Sequence, residues 1–207
     1  MPSEKIKLAL KHLSRHDKVL STIIKNNGII NLTQRRKYFN LIVSSIIGQQ
    51  LSTYAAAAIE ERFFNYFQNN LSPDIILQTD DSALRSLGLS AAKCRYVKDL
   101  SGQILDGKIS LNGLSKKSDN EVIAELTKVK GIGVWTSHMF LIFTLGRINV
   151  LPTGDLGIRK AIMLNYGLKN LPNEKKILSI AEKNRWDPYC SVASLYLWRS
   201  LDSKKES

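Results

Sequence analysis

Two stretches of this 207-residue sequence carry residue types whose spacing could do chemistry. The first is Leu126 to Met139, LTKVKGIGVWTSHM, where Gly131 and Gly133 flank one apolar residue between two segments of helical period. A turn this tight needs backbone freedom that only glycine supplies cheaply. It leaves the N–H groups of Gly131 to Val134 at the start of a helix, and those amides, with the helix dipole behind them, suit one phosphate. The second is Leu151 to Lys160, LPTGDLGIRK, where Pro152 and Gly154 stiffen the approach to Asp155 and the basic pair Arg159-Lys160 follows one turn later. Such a pair favours an anionic ligand beside the carboxylate. Each stretch also has a plainer reading: a glycine C-cap for the first, a helix cap for Asp155.

The elements that must position these residues read as helices. Apolar residues recur three and four apart in Phe39 to Ile47 and in Thr53 to Phe67, with Ala55 to Ala58 as strong helix formers. Around the double glycine, Val122, Leu126 and Val129, then Trp135, Met139 and Ile142, mark the expected buried faces. Helix ends are legible: Ser72-Pro73, Ser90, Asp155 and Asn173 as starts, Gly88, Gly107 and Gly167 as stops, and Ser118 with Glu121 as a capping box. Only Arg147 to Leu151 could be extended. The expectation is an all-α protein of about ten helices.

Composition limits the partners. Lys and Arg number 30 against 18 Asp and Glu, a net charge of +12, which points to a polyanion. Residues 41–90 are net acidic between basic neighbours, so a cationic face has to be assembled from separated segments and not from a tail. Two cysteines, Cys94 and Cys190, are too few for a disulfide framework or a four-thiolate metal or iron–sulfur site, and read as small packing residues of a reducing compartment. No apolar run approaches the roughly 20 residues of a membrane span. The first residues alternate charge with apolar residues and lack a signal-peptide core. The expected protein is soluble and intracellular.

Taken together, a glycine hairpin, a short spacer and a Gly/Pro-rich approach to a helix-starting Asp resemble the helix-hairpin-helix superfamily of base-excision DNA glycosylases. Within it the sequence is most similar to the 3-methyladenine (alkylpurine) type. Three further stretches carry that likeness: Ile46 to Ser52 (IIGQQLS), Leu87 to Lys93 (LGLSAAK), and Trp186-Asp187-Pro188-Tyr189 with Ser191 to Ala193 and Leu197-Trp198-Arg199. The match runs over roughly residues 38 to 201, in the family's order and spacing.

The resemblance implies a compact two-lobed helical bundle with a cleft between the lobes, one lobe roughly 46–148 and the other 1–45 with 149–207. It implies Asp155 as catalytic carboxylate and a base pocket of Trp135, Met139 and Trp186, although Trp186 and Trp198 also read as core. DNA contacts would come from Gln49, Gln50 and Leu51, which fall where family members wedge the duplex, and from Lys130, Gly131, Ile132, Gly133, Val134 and Arg159. Backbone carbonyls of Thr127, Val129 and Gly131 would hold a structural Na+ or K+. No cofactor is required for the chemistry, and no iron–sulfur cluster is expected. Trp135 stands where relatives with lyase activity place a nucleophilic lysine, so the resemblance implies a monofunctional enzyme acting on damaged double-stranded DNA and leaving an abasic site. Met139 replaces an aromatic of the longer enzymes, whose N-terminal sheet domain has no room before residue 38. The alternatives are a non-catalytic hairpin DNA-binding protein and a glycosylase for oxidised or mismatched bases.

Overall fold

The computed structural model describes residues 4–30 and 32–202. Among them are twelve α-helices, a short 3-10 turn at Leu114–Lys116 and no strand. The chain divides into two units, one of Met1–Gln34 with Leu141–Ser207 and one of Arg35–Phe140. The first break falls before the helix Tyr38–Gly48, not inside it as a boundary at 45/46 would require, because that helix packs against two others of the 35–140 unit. The second falls at 140/141 in place of 148/149.

The 35–140 unit contains α3 (Tyr38–Gly48), α4 (Thr53–Tyr66), α5 (Pro73–Gln78), α6 (Asp81–Ser86), α7 (Ala91–Leu105), α8 (Asp119–Leu126) and most of α9 (Val134–Phe143). Helix α7 is its centre, with α3, α5 and α6 packed against it. Its apolar side, Cys94, Val97 and Leu100, is completely buried, as are Val43, Ile46 and Ile47 of α3 and Phe63 of α4. Helix starts follow the sequence signals. Ser90 accepts from the Lys93 amide, and Ser118 and Glu121 form both halves of the capping box.

The other unit contains α1 (Glu4–His16), α2 (Lys18–Asn27), α10 (Leu156–Asn165), α11 (Glu174–Lys183) and α12 (Cys190–Asp202). Helix α12 is buried along most of its length and packs against α1, α2 and α10. A helix start that the signals above leave out is Asp17. It is 1% exposed, caps α2 through the amides of Val19 and Leu20, and accepts from Tyr166 Oη and, at 2.8 Å, Trp186 Nε1. That cap splits one long basic amphipathic run into α1 and α2. Together with the six-residue helices α5 and α6, too short to register as a period, it accounts for twelve helices where about ten are expected. Arg147 to Leu151 forms no strand. It is tied to the start of α12 instead, where Ser191 donates its amide to the Ile148 carbonyl and accepts the Val150 amide on Oγ.

Candidate DNA interface and active site

In the 35–140 unit the segment between α8 and α9 is held from beneath by one face of α7. The Asp99 carboxylate accepts the Lys130 amide at 2.8 Å and the Gln103 amide at 2.7 Å, and Gln103 also donates to the Lys128 carbonyl. Gly131 has a φ of +81°, and a Cβ placed there would come within 2.3 Å of the Tyr96 ring. Glycine is thus required twice over, by backbone conformation and by close approach. Tyr96, Asp99 and Gln103 lie three and four apart, and that polar stripe on an otherwise amphipathic helix is the signal by which the sequence could have exposed the hairpin's support.

Gly133 differs from Gly131. Its backbone needs no glycine, and a Cβ there would meet nothing within 4 Å, so nothing within the protein excludes a side chain. Its carbonyl accepts the Ser137 amide and opens α9. The Ile132 amide goes back to Val129 and the Lys130 amide to Asp99. The amides of Gly131, Gly133 and Val134 remain, with no acceptor among the described residues. Such amides at a helix start suit an anion.

The end of α3 lies at this hairpin. Gln49 donates its side-chain amide to the Gly131 carbonyl at 2.9 Å. Lys93 Nζ donates to the Ile47 carbonyl at 2.6 Å and steadies the last turn of α3, and burial pushes its ammonium below the ordinary lysine range. Gln50 projects in a left-handed conformation, φ 58°, and is exposed, and Leu51 is exposed beside it before Ser52 caps α4. Of the three residues expected to wedge the duplex, Gln49 is therefore turned onto the hairpin, and Gln50 and Leu51 are left exposed.

Helix α9 corrects an expected buried face. Thr136, Ser137, Phe140, Leu141 and Ile142 are the buried positions, so Ile142 lies inside as expected, whereas Trp135 is 48% exposed and Met139, one turn on along the same side, is half-buried. The indole is half exposed and is not part of the buried core.

In the other unit, Asp155 is the N-cap of α10. Its Oδ1 accepts the Ile158 amide at 2.7 Å and Trp198 Nε1 at 2.8 Å. Gly157 makes this possible, since a Cβ there would stand 3.0 Å from Asp155 Oδ1 and from the Trp198 indole. The Trp198 ring in turn packs on Phe143, with centroids 5.7 Å apart. Trp198 reads as core from sequence, yet the structure makes it the partner that orients the carboxylate.

Two expected site residues lie elsewhere. Trp186 has no exposed surface and donates to Asp17 in the packed interior, so it lines no open base pocket. Arg159 is half-buried with Nε donating to the Pro172 carbonyl at 2.9 Å, which ties α10 to the segment before α11; the exposed cation of that pair is Lys160.

These features can be set beside known proteins. Residues 43–185 match the family described as HhH-GPD superfamily base excision DNA repair protein. The chain belongs to that superfamily. DNA-3-methyladenine glycosylase 1 of Schizosaccharomyces pombe is 30% identical to this HhH-GPD chain over 199 residues, covering 95% of this chain and 86% of its own. YfjP of Bacillus subtilis (strain 168) is 34% identical over 200 residues, 93% of this chain and 68% of its own. Among solved structures, the S. pombe 3-methyladenine DNA glycosylase Mag1 in complex with abasic DNA superposes with a TM-score of 0.82 at 31% identity, covering 92% of this chain and 95% of that one. A Bacillus halodurans DNA-3-methyladenine glycosidase gives 0.83 at 33%, covering 96% and 91%. The HhH-GPD match contains the hairpin, Gln49 to Leu51, Trp135 and Asp155 within one span.

Proposed function

We propose that this chain is a monofunctional DNA glycosylase that hydrolyses the N-glycosidic bond of alkylated purines, of the 3-methyladenine and 7-methylguanine type, in double-stranded DNA during base excision repair. The observation that carries this is the Asp155 carboxylate held by the Trp198 indole N–H at a helix start; added to it is the exposed indole of Trp135, at the position where the resemblance puts the amine of a lyase. Its relatives named as 3-methyladenine glycosylases, matched over most of both chains, support the same substrate class.

The chemistry follows from the residues. A base inside a duplex has to be rotated out, at a cost of about a few kcal/mol, before an enzyme reaches it. The amides of Gly131, Gly133 and Val134 grip a backbone phosphate, and the exposed Gln50 and Leu51 fill the vacated space. Carbonyl oxygens of Thr127, Val129 and Gly131 suit a monovalent cation by donor type; the Gly131 and Val129 oxygens each accept one N–H already and retain a second lone pair. Bound there, Na+ or K+ would add positive charge at the hairpin that favours a phosphate.

Alkylation at a ring nitrogen gives the purine a formal positive charge. An aromatic face such as Trp135 attracts such a cation by roughly 0.5–2 kcal/mol, which favours the lesion over normal bases, and Met139 beside it adds polarizable surface. As the glycosidic bond breaks, the deoxyribose gains oxocarbenium character that the Asp155 carboxylate stabilises while orienting the attacking water. A charged leaving base needs no general acid. An indole forms no Schiff base with the sugar, so strand cleavage is not part of the reaction.

The partner is damaged duplex DNA. Among the described residues no helix is long and apolar enough to cross a membrane. We place the chain with the genomic DNA, acting as a monomer. The test is an excision panel at fixed salt with 3-methyladenine, 7-methylguanine, hypoxanthine, ethenoadenine and 8-oxoguanine substrates, run with and without borohydride. Release of the methylated purines with no covalent trapping is expected. Exclusive release of 8-oxoguanine, or a trapped protein–DNA adduct, overturns the proposal.

A further inference from the structure

The 35–140 unit carries a second cationic feature that the excision chemistry does not use. A groove of about 530 Å³ opens at the start of α3, lined by Arg36, Lys37, Asn40, Asn69, Asn70 and Asn112 among others. No carboxylate lines it, and neither Arg36 nor Lys37 has an acidic partner among the described residues. Arg35 precedes them in the chain, making three consecutive cations. Two uncompensated exposed charges on one edge, facing a groove with four neutral carboxamides, favour a ligand with negative charge and several acceptor oxygens. Arginine and lysine supply charge, and asparagine side chains donate to phosphate oxygens without adding repulsion.

The position of the groove separates it from the hairpin. Helix α3 has 11 residues, so its ends stand about 16 Å apart at 1.5 Å per residue. Gln49, just past its C-terminal end, is bound to Gly131 of the hairpin, whereas Arg36 and Lys37 stand at the other end. A phosphate gripped by the hairpin amides is therefore not the one that the groove addresses.

We propose that this groove binds the phosphodiester backbone of a second DNA segment, so that the protein holds undamaged DNA there while the hairpin is engaged. Two independent polyanion contacts on one chain allow direct transfer between segments during the search for a lesion. The contact is sequence-independent, because it reads phosphates alone.

The experiment saturates the protein with a short duplex containing an abasic-site analogue and then titrates in a second, fluorescently labelled undamaged duplex, comparing the unaltered protein with the Arg36→Ala/Lys37→Ala double variant. The unaltered protein is expected to bind the second duplex. The variant should lose at least tenfold of that affinity, and the slope of log affinity against log salt should fall by about 1.8, the share of two phosphates in duplex DNA. Affinity for the abasic duplex and single-turnover excision from a short substrate should change less than twofold. Absence of second-duplex binding in the unaltered protein, or equal second-duplex affinity in both proteins, overturns the proposal. So does a parallel loss of abasic-duplex affinity, which assigns the two cations to the hairpin's own duplex. Displacement of the labelled duplex by millimolar pyrophosphate but not by unlabelled DNA would assign the groove to a free phosphorylated ligand and also overturn it. Failure of excision itself would be seen separately, in the single-turnover arm.

Discussion

The side-chain amide of Gln49 donates to the Gly131 carbonyl at 2.9 Å, joining two segments 82 residues apart. One of the three residues expected to enter the duplex instead braces the glycine hairpin. Gln50, in a left-handed conformation, and Leu51 are left exposed.

This division of labour predicts two distinct phenotypes. Gln49→Ala loosens the hairpin and should weaken excision from double- and single-stranded substrates alike, by about 2- to 10-fold for one hydrogen bond of roughly 0.5–1.5 kcal/mol. Gln50→Gly/Leu51→Gly keeps the left-handed backbone but removes the filling side chains. It should lower excision from duplex about tenfold or more and spare the single strand, where no gap needs filling. Measuring the duplex-to-single-strand excision ratio separates the two, and an unchanged ratio in the double variant would deny Gln50 and Leu51 the role of wedge.

The two hairpin glycines should respond differently to alanine. Gly131→Ala forces a left-handed alanine and drives its Cβ into Tyr96, so urea unfolding should show a loss of about 2 kcal/mol or more. Gly133→Ala meets only open space; its stability should stay within about 0.5 kcal/mol of the unaltered protein. Its affinity for an abasic duplex should nevertheless drop about tenfold, because on the proposed function the added methyl group crowds the amides that grip a phosphate.

Asp155→Asn preserves an Oδ1 that caps Ile158 and accepts from Trp198, so the fold should hold, with a melting temperature shifted by only a few degrees. Losing the negative charge removes the stabilisation of the oxocarbenium ion, and single-turnover excision should fall at least about 100-fold with DNA affinity retained. Trp198→Phe keeps the ring against Phe143 but removes the N–H. Excision should fall about tenfold or more, given roughly 1.5–3 kcal/mol for a hydrogen bond to a charged acceptor, with little change in affinity. Near-normal turnover of Asp155→Asn would remove the carboxylate from the mechanism.

Alkaline stability should depend on Tyr166. Burial, then the neighbouring Asp17 charge, push its phenol above the usual tyrosine range. The folded state thus keeps the proton that the unfolded chain releases near pH 10, so this group's contribution is complete below about pH 10 and is lost as the pH climbs above it. Thermal melts at pH 9, 10 and 11 should show a falling midpoint in the unaltered protein and a shallower fall in Tyr166→Phe. Parallel slopes would mean that another group governs alkaline unfolding.

The sequence by itself determined the helical class, the caps at Ser90, Ser118, Asp155 and Asn173, and the glycine hairpin, because each is a local matter of backbone freedom, capping groups and apolar period within a few residues. The resemblance of its motifs to a known superfamily also placed Asp155 and Trp135 in candidate roles. Only the tertiary structure decided which long-range partners those residues take. Trp186 went into the interior because Asp17, 169 residues away, offers its indole an acceptor, while Trp198 reached Asp155 because Gly157 leaves room for it. Likewise Tyr96, Asp99 and Gln103 become the hairpin's support only once α7 lies beneath it. Side-chain hydrogen bonds between distant segments depend on packing geometry, and no local period or propensity encodes that.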